Sequence, residues 1–182
     1  MCQMASFFHN PATGEVRVSV LDHHESTAQA LGLDQKVWRE GHYLPNGKID
    51  TRVAPEDRVT ADKCAERIRS RWPTFCKFLS WAFKESGVCD EKGHYAGSLD
   101  LGGLTSAEHL TLPMSIGGWL DLNGLTSAKG LTLPTSIGGG LVLSSLTSAK
   151  GLKLPKSIGG WLVLSSLTSA EREEVMAKWK KK

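Results

Sequence analysis

The chain has 182 residues, of which 40% are apolar, 23% charged and 7% aromatic, with a formal net charge of +3, a size that suits one ordinary domain or two small ones. No stretch approaches the roughly 20 apolar residues that span a bilayer, and the start, MCQMASFFHNP, shows neither a basic leader nor a long apolar run; a cytoplasmic chain without a membrane partner is expected. Residues 1–96 carry 13 basic and 13 acidic side chains, residues 97–170 carry 4 and 3, and the last twelve carry 5 and 3, a balance that argues against a nucleic-acid partner.

Residues 1–96 contain no repeat and read as a small α+β module. Cys2 invites catalysis, because removal of Met1 would leave a terminal cysteine whose own amine could act as base. Amino-terminal nucleophile hydrolases need a larger layered fold than this module supplies, and Gln3 and Met4 match no motif, so an ordinary thiol is expected and no catalytic residue is assigned. Alternation in ASFFH and EVRVSVL around NPATG predicts a hairpin, and GHYL and KIDTRV around Pro45, Asn46 and Gly47 predict another. Between them His23 and His24 lie beside Asp22 and Glu25. Adjacent side chains point apart, so at most two could share an ion, and neither a metal site nor a cofactor is expected. Cys2, Cys64, Cys76 and Cys89 show no close pair at metal spacing and read as reduced thiols.

Two helices should follow. The first runs from about Thr60 to Arg71, with Cys64, Ile68 and Trp72 on one side and Pro73 ending it. Lys63, Arg67 and Arg71 fall at i, i+4 and i+8, with Arg69 nearby, as a basic stripe that could meet phosphates or an acidic protein surface. An ordinary charged outer face is the simpler account. The second helix starts near Thr74, carries Phe75, Phe78, Leu79, Ala82 and Phe83 at helical spacing, and stops by Gly87. Val88 to Ala96 is expected to be a junction.

From Gly97 to Ala170 the chain repeats every 21 residues: GSLDLGGLTSAEHLTLPMSIG, GWLDLNGLTSAKGLTLPTSIG, GGLVLSSLTSAKGLKLPKSIG and the half unit GWLVLSSLTSA, with 13 of 21 positions identical in every copy present. Within a unit LxLxxL and LxLPxxI each hold a short period-two strand and a turn, while recurrent Gly and Pro leave no room for a helix. The leucines at unit positions 3, 5, 8, 14 and 16, the alanine at 11 and the isoleucine at 20 should point inward, and only stacking of successive coils can bury them. A β-solenoid of three and a half coils is predicted. Thr168 and Glu171 then have capping-box spacing, and EREEVMAKWKKK places Glu173 and Glu174 early and Lys178 and Lys180 late. Residues 171–182 are read as a capping helix whose Val175, Met176 and Trp179 plug the last coil.

The unit LPxSIGGxLxLxxLTSA resembles the leucine-rich-type solenoid repeats of bacterial and bacteriophage proteins, which often stand behind an unrelated amino-terminal module. The resemblance covers about two fifths of the chain. A standard leucine-rich repeat would carry an asparagine ladder after LxL, where Leu104, Leu125, Leu146 and Leu167 stand here; the departure favours a compact, two-sided coil over a horseshoe. The resemblance implies binding rather than catalysis, and in its sharpest form a phage-encoded inhibitor of a bacterial defence or host complex, similar to an anti-CRISPR protein.

The eight variable positions should form exposed rows. Position 2 reads Ser98, Trp119, Gly140, Trp161 and position 4 reads Asp100, Asp121, Val142, Val163. Trp119, Val142, Trp161 and Val163 would then form an apolar patch of the kind that interfaces favour. A non-catalytic protein-binding module is expected, with a homodimer as one form of the contact. The alternative is a small enzyme centred on Cys2 or on His23 and His24, or a nucleic-acid contact through the basic stripe.

Overall fold

The computed structural model describes residues 5–19, 32–33, 38–51, 58–85 and 87–180. They divide into two compact units, Met1–Val88 and Cys89–Lys182.

In the first unit, strands β1 (Ala5–His9), β2 (Val16–Ser19), β3 (Arg39–Tyr43) and β4 (Ile49–Thr51) form an antiparallel sheet in the order β2-β1-β3-β4. Both predicted hairpins are present, with His9 opposite Val16 and Tyr43 opposite Ile49. Asn10 builds the first turn, its Oδ1 accepting the N–H groups of Ala12 at 3.0 Å and Thr13 at 3.3 Å. Pairing of β1 with β3, Phe7 opposite Gly41, joins the hairpins. Gly41 is required there because a Cβ would lie 2.4 Å from the Phe7 ring. Helix α1 (Arg58–Arg71) begins two residues before the predicted start, and α2 (Phe75–Glu85) begins after Thr74, whose Oγ1 caps the Lys77 N–H. The core is aromatic: Tyr43, Phe75, Phe78 and Trp72 are buried, with ring centroids 5.2 to 5.8 Å apart in the pairs Trp72–Phe78, Tyr43–Phe78 and Tyr43–Phe75. The Tyr43 hydroxyl donates to the Trp72 carbonyl at 3.0 Å, tying the sheet to the end of α1.

The second unit is the solenoid, and each coil contributes one strand to each of two parallel sheets. One contains β6 (Leu99–Asp100), β8 (Leu120–Asp121), β10 (Leu141–Val142) and β12 (Leu162–Val163). The other contains β5 (His94–Tyr95), β7 (Ser115–Ile116), β9 (Ser136–Ile137) and β11 (Ser157–Ile158). Every pairing joins residues 21 apart, so Leu99, Leu120, Leu141 and Leu162 stack in line. The coil is two-sided, as the missing asparagine ladder implied. His94 and Tyr95 correct the expectation of a junction reaching Ala96: they pair with Ser115 and Ile116 and make the first rung of their sheet.

The rule that sets the repeat is visible in its backbone. The position 3 N–H donates to the position 2 carbonyl of the next coil, as in Leu99 to Trp119, Leu120 to Gly140 and Leu141 to Trp161, all at 2.8 to 2.9 Å. At position 21 the coils approach so closely that a Cβ on Gly117, Gly138 or Gly159 would lie 2.1 to 2.4 Å from a carbonyl oxygen of the coil before. Ala96 holds that position in the first rung and carries a Cβ. A second glycine requirement sits at position 13, where Gly130 and Gly151 have φ of 75° and 82°, and His109 adopts the same conformation at 64°.

Positions 3, 5 and 8 are buried through the first three coils, and position 20 is buried at Ile116 and Ile137 but half-buried at Ile158. Positions 14 and 16 follow the expected inward set only in part: Leu110 and Leu154 are buried, Leu112, Leu131, Leu133 and Leu152 are half-buried, and Pro113, Pro134 and Pro155 are buried. No strand forms over LTLP among the described coils, so this limb lacks the strict alternation that would turn both leucines inward. Helix α3 (Ser169–Lys180) follows the last strand. Its capping box is formed, with Thr168 Oγ1 accepting the Glu171 N–H at 3.3 Å and the Glu171 carboxylate accepting the Thr168 N–H at 3.2 Å. The Thr168 hydroxyl also donates to that carboxylate at 2.8 Å, and this bond first, with the Thr168 N–H second, holds the Glu171 carboxyl below the usual range. Val175 is buried, and Trp179 donates its Nε1–H to the Pro155 carbonyl at 2.6 Å, so the helix caps the last complete coil.

Leu122 and Leu143 are fully buried between neighbouring coils. Leu122→Ala or Leu143→Ala should therefore cost about 2 to 5 kcal/mol by chemical denaturation, and a loss below about 0.5 kcal/mol would place these side chains outside the core. In the first unit, burial pushes the Cys64 thiol from its ordinary 9.0 up to about 11, against the nearby Arg67 charge. The stability that depends on the neutral thiol is complete below pH 9.0 and is lost as pH rises through about 11. At pH 8 Cys64 should resist an aromatic disulfide reagent in the folded chain and react once denatured, as read by absorbance.

Candidate protein-binding face

Position 2 and position 4 flank the inward leucines of one sheet, and alternation turns both rows outward. Trp161 is 59% exposed, although tryptophan is among the largest apolar side chains. Its indole lies against the backbone of the preceding coil at Gly140, where a Cβ would stand 2.5 Å from the ring. Gly140 is thus buried beneath Trp161, and its lack of a side chain lets the ring lie flat. Val142 and Val163 sit directly in register on neighbouring strands, both half-buried. Trp119 is half-buried rather than exposed, and its backbone N–H donates to Ser98 Oγ at 3.1 Å. The four predicted residues therefore share one face, with Trp161 the most prominent.

The polar side of the face fades along the stack. Asp100 and Asp121 accept the N–H groups two residues on, from Gly102 at 3.1 Å and Asn123 at 2.7 Å. Valine replaces aspartate in the next two coils, giving up that turn contact for apolar surface. Asn123 Oδ1 accepts from the hydroxyls of Ser144 and Ser145 across the coils.

The basic stripe is divided by its surroundings. Lys63 and Arg67 line a hollow of about 450 Å³ with His9, Asn10, Pro11 and Cys64. Arg71 instead lies over the rings of Trp72 and Trp81, 4.6 and 5.6 Å from their centroids. Arg69 lies close enough to Tyr43 for its charge to oppose the upward push that burial gives the Tyr43 hydroxyl. Cys2, His23 and His24 lie outside the described residues. Among the described residues no group of three or more His, Cys, Asp or Glu side chains could hold a metal ion, and no helix is long and apolar enough to cross a membrane.

No protein-family model, curated protein or solved structure matches this chain.

A groove not foreseen from the sequence lies at the carboxyl end of the solenoid. It has a volume of about 510 Å³, with Gly160, Leu162, Val163, Leu164 and Ser165 on one side and Arg172, Met176 and Trp179 of α3 on the other. The i, i+4 and i+7 spacing of those three helix residues was its sequence signal.

The indole of Trp161 provides a direct check on the face. With 5-fluorotryptophan incorporated, Gly140→Ala should shift the ¹⁹F resonance that Trp161→Phe removes, leaving the other tryptophan resonances in place. An unmoved Trp161 signal would mean that the ring does not lie over Gly140.

Proposed function

We propose that this chain is a non-catalytic protein-binding module that engages its partner, or a second copy of itself, through Trp119, Val142, Trp161 and Val163. The observation that carries the reading is the exposure of Trp161 on a face whose positions the repeat leaves free to vary. Core packing does not demand a tryptophan there, since glycine serves the same position one coil earlier. Large aromatics ringed by smaller contacts are the anchors on which interfaces depend. The lateral alignment of Val142 and Val163 adds contiguous apolar surface beside the ring.

The resemblance to bacterial and bacteriophage leucine-rich-type repeats supports a sharper version. In it the partner is a bacterial defence or host complex, and the chain inhibits it in the manner of an anti-CRISPR protein.

Trp161→Asp is the decisive variant. It should abolish partner binding or dimerisation, with a loss of about 2 kcal/mol or more, roughly thirtyfold in affinity, while the melting temperature changes little. Substantial unfolding would show that the ring is needed internally and would remove the face from consideration. Cys2→Ser should leave the biological effect intact; its complete loss in a folded variant would favour an enzyme.

A further inference from the structure

We propose that the open edge of β12 accepts an extended segment of a protein partner as one additional rung, held in the groove between that edge and α3. The proposal rests on the reading of the chain as a protein-binding module and gives its last coil a second kind of contact.

The backbone pattern identifies what this edge lacks. Position 3 and position 5 N–H groups donate to the following coil throughout the stack, as Leu141 does to Trp161 and Leu143 to Val163. Position 1 carbonyls accept from the following coil, as Gly139 does from the Gly160 N–H at 2.9 Å. After β12 the chain turns into α3, and no further coil stacks on Gly160 among the described residues. The N–H groups of Leu162 and Leu164 and the carbonyl of Gly160 therefore face outward, and none has a hydrogen-bond partner among the described residues. An unpaired strand edge of this kind is a template for main-chain pairing.

Other edges are left at the ends of sheets, but this one has a second wall. Adjacent helical residues project about 100° apart, so Val175 can be buried while Met176 turns away with Arg172 and Trp179 to form the far side of the groove. A strand placed at the usual ~4.8 Å from β12 enters that space. Its inward side chains would lie over half-buried Leu162 and buried Leu164 and against Met176 and Trp179. These surroundings call for apolar residues at alternate positions.

Charge narrows the occupant further. Arg172 is the one ionisable side chain lining the groove. Among the described residues its guanidinium donates only to Ser169 Oγ, at 3.4 Å, and pairs with no carboxylate. The fitting segment is thus an extended peptide of alternating apolar residues with an acidic side chain opposite Arg172.

A phage-displayed library of random dodecapeptides, selected on the full chain, supplies the probe. Selected peptides, resynthesised, should show alternating apolar residues and at least one Asp or Glu. Bound, they should slow hydrogen exchange at the Leu162 and Leu164 amides at least tenfold. Met176→Lys and the exposed-wall variant Arg172→Glu should each weaken binding at least tenfold with unchanged circular dichroism; the second variant keeps the test decisive if the first disturbs α3. Failure to select any peptide, or selected peptides that leave those amides unprotected, would overturn the proposal. Peptides that respond only to Trp161→Asp would overturn it while sparing the exposed face, whereas amide protection indifferent to Trp161→Asp would sustain the edge as a contact separate from the face. Sedimentation of the chain alone as a dimer that Arg172→Glu dissociates would assign the edge to a second copy and also overturn it.

Discussion

The closeness of successive coils governs the second unit. Backbone hydrogen bonds of 2.8 to 2.9 Å link the position 3 amides of Leu99, Leu120 and Leu141 to the next coil, and that spacing leaves no room for a Cβ at position 21 on Gly117, Gly138 or Gly159. The period of 21 is the chain length that returns the same hydrogen-bonding groups and the same apolar side chains to the same place. Invariant glycine, buried leucine and parallel pairing are consequences of one geometric requirement. Where that requirement relaxes, as at positions 2 and 4, the residue types diverge.

Much of this was legible because repetition separates what the fold needs from what it tolerates. The coil, its register and its inward leucines at positions 3, 5 and 8 followed from 13 invariant positions. The first rung was hidden, since His94, Tyr95 and Ala96 differ from the Ser, Ile and Gly that mark later copies. A bottom rung needs the same backbone but not the same glycine, having no earlier coil against it. The half-buried leucines of LTLP were overread because proline interrupts the alternation on which the inward assignment depended.

In the first unit, local signals marked the turns and helices, whereas the β1–β3 pairing joins residues thirty or more positions apart and has no local signature beyond Gly41. At the site, the sequence placed Trp119, Val142, Trp161 and Val163 on one face, but burial separated them: only Trp161 stands out strongly. The groove was obscured by grouping Val175 with Met176, two neighbours that a helix must point in different directions. The dividing of the basic stripe between a hollow and a tryptophan pair likewise depends on tertiary neighbours that helical spacing does not encode.

Ala96 gives the stack a polarity. Its methyl group stands where every later coil requires bare backbone, so a coil added before it would meet a side chain at the point of closest approach. A whole unit inserted farther along, between Gly138 and Gly139, would preserve every register and carry Trp161 and α3 outward by about 4.8 Å. Length is therefore adjustable in whole units anywhere after the first rung, but not before it. Duplication would move the last coil along the stack axis without redesigning either the first rung or the cap.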